Sequence, residues 1–247
     1  MTGTFKFMNI LFHALSMSET LDRIDALVRE RTPRMFFSLS AELISRAQDD
    51  PAIRDIYGSA DIVTADSFVV YYSARLCGIP LPEPVSASRV MCELLPNAVA
   101  KKYRLYLLGA SEEVVARVVS VLRGQYPGIT IVGWRNGYFT PPDEAQIVAD
   151  IRQTAPDILF VAMSSPLKEQ FISKHLHEMG VPVSMGVGGI FDIIAGKCRL
   201  APPLVSRCGL EWLYRFLQEP RRMWKRYLIT NAKYLLLLGR ELLKRGG

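Results

Sequence analysis

From Arg34 onward, short runs rich in β-branched, aromatic and leucine residues alternate with amphipathic stretches, and this alternation narrows the possible folds sharply. Strands are expected at Arg34–Leu39, Asp61–Ala65, Tyr103–Leu108, Ile129–Gly133, Asp157–Met163 and Val181–Gly186. Helical patterns lie near Ala41–Gln48, Phe68–Cys77, Ser88–Ala100, Glu112–Tyr126, Asp143–Thr154 and Leu167–Met179. Alternation at this spacing implies right-handed βαβ units and a mostly parallel, doubly wound α/β sheet. Leu105-Tyr106-Leu107-Leu108 and Ile158-Leu159-Phe160-Val161 are unbroken apolar runs, as central strands covered on both faces require.

The remaining composition sets bounds. At 247 residues, with 49% hydrophobic and 22% charged residues, the chain has enough apolar surface for a sizeable core and too much for long disorder. No uninterrupted apolar stretch reaches the roughly 18–20 residues that span a bilayer. The mildly apolar segment from Phe5 to Leu15 runs into Ser16-Met17-Ser18-Glu19, which reads as a capping box opening a helix and not as a signal-peptide cleavage site. Cys77, Cys92, Cys198 and Cys208 are widely spaced with no CxxC pair, so reduced thiols in a cytoplasmic protein are expected and a zinc site is not. His175 and His177 are two apart and make a poor metal pair on a helix.

In doubly wound sheets, ligands bind beyond the carboxyl ends of the strands. The residues there are Ser38-Leu39-Ser40, Asp66-Ser67, Gly109-Ala110-Ser111, Gly137-Tyr138, Ser164-Ser165-Pro166 and Gly186-Val187-Gly188-Gly189. Small residues, hydroxyls and glycines suit a sugar or polyanion approaching the backbone closely, with helix N-termini offered to phosphates. Asp66 has two readings, a general base on a hydroxyl or the N-cap of the next helix. Asp192, after the glycine turn, is either a hydroxyl-binding acid or a cap. The turn itself is not GxGxxG and comes last in the chain, so a dinucleotide site is weakly supported. Glu112 and Glu113 complement a helix start and oppose a bare phosphate at that point. The chain has no DxD, so a carboxylate pair for a divalent metal is missing.

The last 27 residues, 221–247, hold eight Lys or Arg against Glu241, a net of +7, while the whole chain carries +6. Residues 1–220 therefore come to −1. Trp224, Tyr227, Tyr234 and Leu235–Leu238 are threaded between the cations, a pattern suited to an anionic membrane surface. The alternative is a solvated C-terminal helix that packs its leucines on the body or on another subunit. Arg215, Arg221, Arg222, Lys225 and Arg226 cluster around Pro220, where they can meet ligand phosphates or lipid headgroups. A near-neutral body and a leucine-rich tail exclude nucleic acid as the partner.

Gly186-Val-Gly-Gly-Ile-Phe-Asp192, Ala195-Gly196, Ala201-Pro202, Gly209-Leu-Glu-Trp-Leu-Tyr-Arg215, Glu219-Pro220-Arg221 and Arg226-Tyr227 together resemble the WecG/TagA/CpsF glycosyltransferases. The likeness extends to Asp66, Leu108-Gly109, Gly137-Tyr138-Phe139, Ser165-Pro166 and Glu169, and so covers nearly the whole chain. The resemblance implies a Rossmann-like core and metal-independent, inverting transfer from a UDP-sugar to a polyprenyl-diphosphate-linked sugar at the cytoplasmic membrane face. It further implies that Asp66 is the base, that Ser38 stands where the family has a catalytic Thr, and that the arginines around Arg221 bind diphosphate.

Several positions depart from the family pattern. Ser40 replaces an Asn, Ser67 a Gly, Pro84 an Arg and Leu200 an Arg. The GxPKQE block reads Ser164-Ser165-Pro166-Leu167-Lys168-Glu169, which puts Lys168 in place of a neutral amide and makes it a candidate for an acidic sugar or an extra phosphate contact.

The expectation is thus a Rossmann-like core over residues 1–208 and a basic, membrane-associating helical appendage over 209–247. Catalytic Asp66 and Ser38 are joined by substrate-binding Ser40, Gly109, Ser111, Gly137, Ser165, Lys168, Gly188, Gly189, Asp192, Arg215, Arg221, Arg222 and Arg226. No metal or other cofactor is expected, and self-association is. The competing expectation is a catalytically silent relative that binds a lipid-linked sugar or a partner enzyme.

Overall fold

A computed structural model describes residues 3–199, 201–208, 210–218 and 220–245; the side chains of 203, 206, 211, 212, 215, 220–231 and 245 lie outside that description. The chain opens with an antiparallel hairpin, β1 (Thr4–Phe7) and β2 (Ile10–His13). Helix α1 (Met17–Glu30) follows, and the capping box read from Ser16 and Glu19 is formed in both directions. Next come β3 (Arg34–Leu39), α2 (Ala41–Ala47), α3 (Pro51–Ser59), β4 (Ile62–Ala65), α4 (Phe68–Leu76) and α5 (Ala87–Ala100). The second half runs β5 (Arg104–Gly109), α6 (Glu112–Gln125), β6 (Thr130–Arg135), α7 (Glu144–Thr154), β7 (Ile158–Ala162), α8 (Leu167–Met179), β8 (Val183–Gly186) and α9 (Ile190–Ile194). Three helices end the chain: α10 (Pro203–Arg207), α11 (Glu211–Gln218) and α12 (Pro220–Arg245).

Six strands form one sheet in the order β4-β3-β8-β7-β5-β6, and every described pairing in it is parallel. The two faces bury separate cores. Phe37, Leu39, Tyr106, Leu108, Leu159 and Val161 point to the face covered by the hairpin, α2, α3, α7 and α8. Phe36, Leu105, Leu107, Phe160, Val183 and Met185 point to the face under α1, α5, α6 and α9. The alternation of adjacent residues between the two cores explains why the central strands are apolar throughout.

The C-terminal helices are joined to this body. Tyr234 is 2% exposed and belongs to the first core, and Leu237 and Leu238 pack against it. Lys233 pairs with Asp49, the Tyr72 hydroxyl donates to the Arg207 carbonyl at 3.2 Å, and Gln218 exchanges two hydrogen bonds with the Arg199 backbone. Leu235, Leu236 and Leu243 remain exposed. The leucine run is therefore split between a face on the body and a face in water, as the reading of a solvated helix packed on the body requires. Among the described residues no helix is long and apolar enough to cross a membrane.

Candidate active site

The carboxyl edge of the sheet carries a cavity of about 340 Å³. Its wall takes in Ser38 and Ser40 after β3, Asp66 after β4, Gly137 after β6, Ser165 and Lys168 after β7, and Gly188, Gly189 and Asp192 after β8. Nine expected site residues are thus brought together from five strand ends. Gly109 and Ser111 stand behind the wall rather than in it. Gly109 has φ +134°, and a Cβ there would lie 2.4 Å from the Ala162 carbonyl oxygen. Ser111 occupies the N-cap of α6 with its hydroxyl buried and unpartnered. The side chains of Arg215, Arg221, Arg222 and Arg226 lie outside the described residues.

Local chemistry separates the two readings of Asp66. Ser67 is the N-cap of α4, its hydroxyl accepting from the Val70 amide at 3.5 Å. The Asp66 carboxylate is left to face the cavity, where Oδ1 accepts the Ser38 hydroxyl at 2.7 Å. Both residues are half-buried. A serine hydroxyl on one carboxylate oxygen fixes the group and leaves the second oxygen for another proton. Ser40 likewise caps α2, accepting from Leu43 at 3.3 Å, so its hydroxyl proton remains available to a ligand. Asp192 does not cap α9; Gly189 holds that position and Asp192 lies in the first turn.

Lys168 is not a free cation. Its ammonium lies 2.5 Å from Glu169 Oε1, with side-chain exposures of 10% and 0% for the two residues, and it also donates to the Ser165 hydroxyl. Ser165 in turn donates to Glu169 Oε1 at 3.0 Å, and the Tyr57 hydroxyl does so at 3.2 Å. Burial, then the Glu169 carboxylate, hold Tyr57 well above the usual phenol range, so it remains a donor. One carboxylate oxygen gathers three donors while Oε2 is buried without a partner.

Tyr57 carries no local signal of this role. Glu42, which pairs with Arg46 at 2.9 Å, is a further cavity residue not singled out from sequence, while Tyr138, read there as a strand-end residue, is 81% exposed at the cavity lip. The signal for Glu42 was its place in the turn after Ser40. That for Tyr138 was its position directly after a strand-end glycine. Among the described residues no three His, Cys, Asp or Glu side chains cluster as metal ligands would.

With this geometry in place, similarity to known proteins gains meaning. The glycosyl transferase WecG/TagA/CpsF family matches residues 5–247. An N-acetylglucosaminyldiphosphoundecaprenol N-acetyl-beta-D-mannosaminyltransferase of Bacillus spizizenii is 34% identical over 194 residues, 78% of this chain and 74% of its own. A Bacillus subtilis strain 168 protein with the same name is 31% identical over 94% of this chain and 90% of its own. One from Staphylococcus aureus strain MW2 is 26% identical over 99% and 96%.

Proposed function

The chain belongs to the WecG/TagA/CpsF glycosyltransferase family, and on that premise we propose that it transfers a sugar from a UDP-sugar to a polyprenyl-diphosphate-linked N-acetylglucosamine with inversion. The observation that carries this reading is the Asp66 carboxylate, relieved of capping by Ser67 and held by Ser38 in a cavity of hydroxyls and glycines. Asp66 takes the proton of the acceptor hydroxyl. The acceptor oxygen attacks the anomeric carbon from the face opposite the diphosphate, and UDP leaves with the bonding electron pair. Position and electrostatics supply the remaining barrier reduction.

No metal enters this proposal. The departing diphosphate is met by backbone amides of the Gly188-Gly189 turn and by the cations around Pro220. The same basic tail, with Leu235, Leu236 and Leu243 exposed, supports docking on the inner membrane face beside a lipid-linked acceptor. The relatives' printed names support the acceptor and the N-acetylhexosamine class of the transferred sugar.

The test is UDP release from a panel of UDP-sugars with a short-chain polyprenyl-diphosphate N-acetylglucosamine acceptor, beside Asp66→Asn. Acceptor-dependent release is expected, reduced at least ~100-fold in the variant, the low end for losing a general base. Near-wild-type turnover in Asp66→Asn removes that residue from the mechanism. Acceptor binding without release from any donor replaces the transferase with a catalytically silent relative.

A further inference from the structure

We propose that Glu169 is a proton-accepting partner that releases Lys168 to an anionic group of the substrate, so that substrate binding takes up one proton; this rests on the nucleotide-sugar reading above. Lys168 is the one cation in the cavity wall among the described residues, and Glu42, Asp66 and Asp192 are the carboxylates there. An anion entering this wall therefore meets more negative than positive groups. The single ammonium it finds is already held by Glu169 at 2.5 Å.

The two partners of that pair are placed unequally. The Lys168 side chain lines the cavity and is 10% exposed, whereas that of Glu169 is 0% exposed. The lysine stem lies over Gly186 at the end of β8, where a Cβ would sit 3.1 Å from both Lys168 Cε and Phe37 Cδ1. Glycine at 186 thus makes room for the stem beside the turn that follows. A flexible four-carbon stem lets the ammonium change partners without moving the backbone.

Glu169 cannot follow it. Its Oε1 also accepts from Ser165 at 3.0 Å and from Tyr57 at 3.2 Å, and its Oε2 is buried without a partner. The groups facing this network are Lys168 and Ser165 from the start of α8 and the loop before it, Tyr57 from α3, and the Asp66 and Glu42 carboxylates, which act on the Tyr57 hydroxyl. Lys168 alone among them is positive. Once the ammonium has left, a buried carboxylate with two neutral donors on one oxygen and none on the other is neutralised rather than kept as an ion. A proton from solvent binds the orphan Oε2. The cavity gains one positive charge on loading and gives it up when the ligand leaves.

The experiment is calorimetric titration of UDP-N-acetylmannosamine and the corresponding N-acetylmannosaminuronate into wild-type protein, Lys168→Gln and Glu169→Gln. Buffers of differing ionisation enthalpy between pH 7 and 8.5 count the protons. The ligand phosphates are diesters with fixed charge over this range, so a proton counted belongs to the protein. Wild-type protein should take up about one proton per ligand, and its affinity should fall about tenfold per pH unit. Lys168→Gln should bind without uptake, since the group that moves is gone. Glu169→Gln should also show no uptake and should bind at least about tenfold tighter than wild type at pH 8.5, because its lysine starts unpaired. Melting checks the fold of each variant, and a gain in affinity is not what a damaged fold produces.

Wild-type binding without proton uptake needs no variant to read and overturns the inference while leaving the transferase reading intact. Uptake that persists in Glu169→Gln, or an affinity in that variant no tighter than wild type, also overturns it. Uptake with both ligands assigns Lys168 to the diphosphate, and uptake with the uronate alone assigns it to the sugar carboxylate; either upholds the exchange. Absence of binding by both nucleotide sugars overturns the exchange and the donor reading together.

Discussion

Replacing Lys168 with Met isolates the Glu169 carboxylate in the protein interior. The ammonium is 2.5 Å from Oε1, and Glu169 has no exposed side-chain surface. After the substitution Oε1 keeps Tyr57 and Ser165 as donors, while Oε2 has none. Removing one partner of a buried pair costs about 3–5 kcal/mol because the remaining charge is uncompensated. The two surviving hydrogen bonds argue for the lower end, about 3 kcal/mol. In a chain of this size about 1 kcal/mol shifts Tm by roughly 2–4 °C, so the expected drop is about 6–12 °C, with a matching fall in the urea midpoint. Lys168→Gln retains an amide donor and should lose less, by about the strength of one hydrogen bond to a charged group. Lys168→Met with Glu169→Leu should recover much of the loss, since an apolar pair of similar volume carries no desolvation penalty. A Lys168→Met melting temperature within about 2 °C of wild type would show that water reaches the carboxylate and refute the reasoning.

Three other expectations rest on separate observations. The Val63 amide donates to His13 Nδ1 at 3.1 Å, and burial pulls the imidazole pKa below its usual 6.5. The unfolded chain therefore takes up the proton first, so this contribution to stability is complete above about pH 6.5 and is lost as pH falls below it. Urea midpoints from pH 7.5 to 5 should show a flatter decline in His13→Asn, and identical slopes would remove His13 as the cause. Gly109→Ala forces a side chain onto φ +134° and 2.4 Å from the Ala162 carbonyl; a destabilisation above about 1 kcal/mol is expected, and an unchanged melt would contradict the close approach. Sedimentation with anionic vesicles should weaken as salt rises and vanish when the Lys and Arg residues of 221–245 become Gln. Deletion is a poorer test, because it also takes Tyr234 out of the core. Binding that survives both changes would exclude electrostatic docking.

The sheet was legible because its strands are continuous apolar runs, and each expected strand overlaps an observed one. The hairpin β1–β2 was not. Its turn is Met8-Asn9, with φ of 47° and 66°, where an Asn-Gly or Asp-Gly pair would have announced the left-handed geometry. Helix α3 did carry a signal, Asp50 at the N-cap followed by Pro51, but the segment is short and only Ile53 and Tyr57 are buried. In the cavity, strand-end position located Ser38, Asp66 and the glycine turn. It did not reveal that Glu169 is buried under the Tyr57 hydroxyl, because the two residues meet across 112 positions in sequence. Contacts of that kind exist only once α3 and α8 have packed.

The position of β8 in the sheet bears on how the protein is made. β3 and β4 pair with each other, and β5, β6 and β7 form a second group, but the two groups share no edge until β8 enters between β3 and β7. From the end of β4 at Ala65 to the end of β8 at Gly186 the ribosome adds 121 residues, roughly 6–24 s of synthesis at about 5–20 residues per second. Through that interval the β3–β4 pair carries an open inner edge beside Phe36 and Phe37, and for its last 24 residues, after Ala162, the edge of β7 is open as well, the kind of surface that pairs with neighbouring chains. Four residues, Val183 to Gly186, close both edges at once, so a nascent chain halted before them is two unfinished sheets rather than most of a fold.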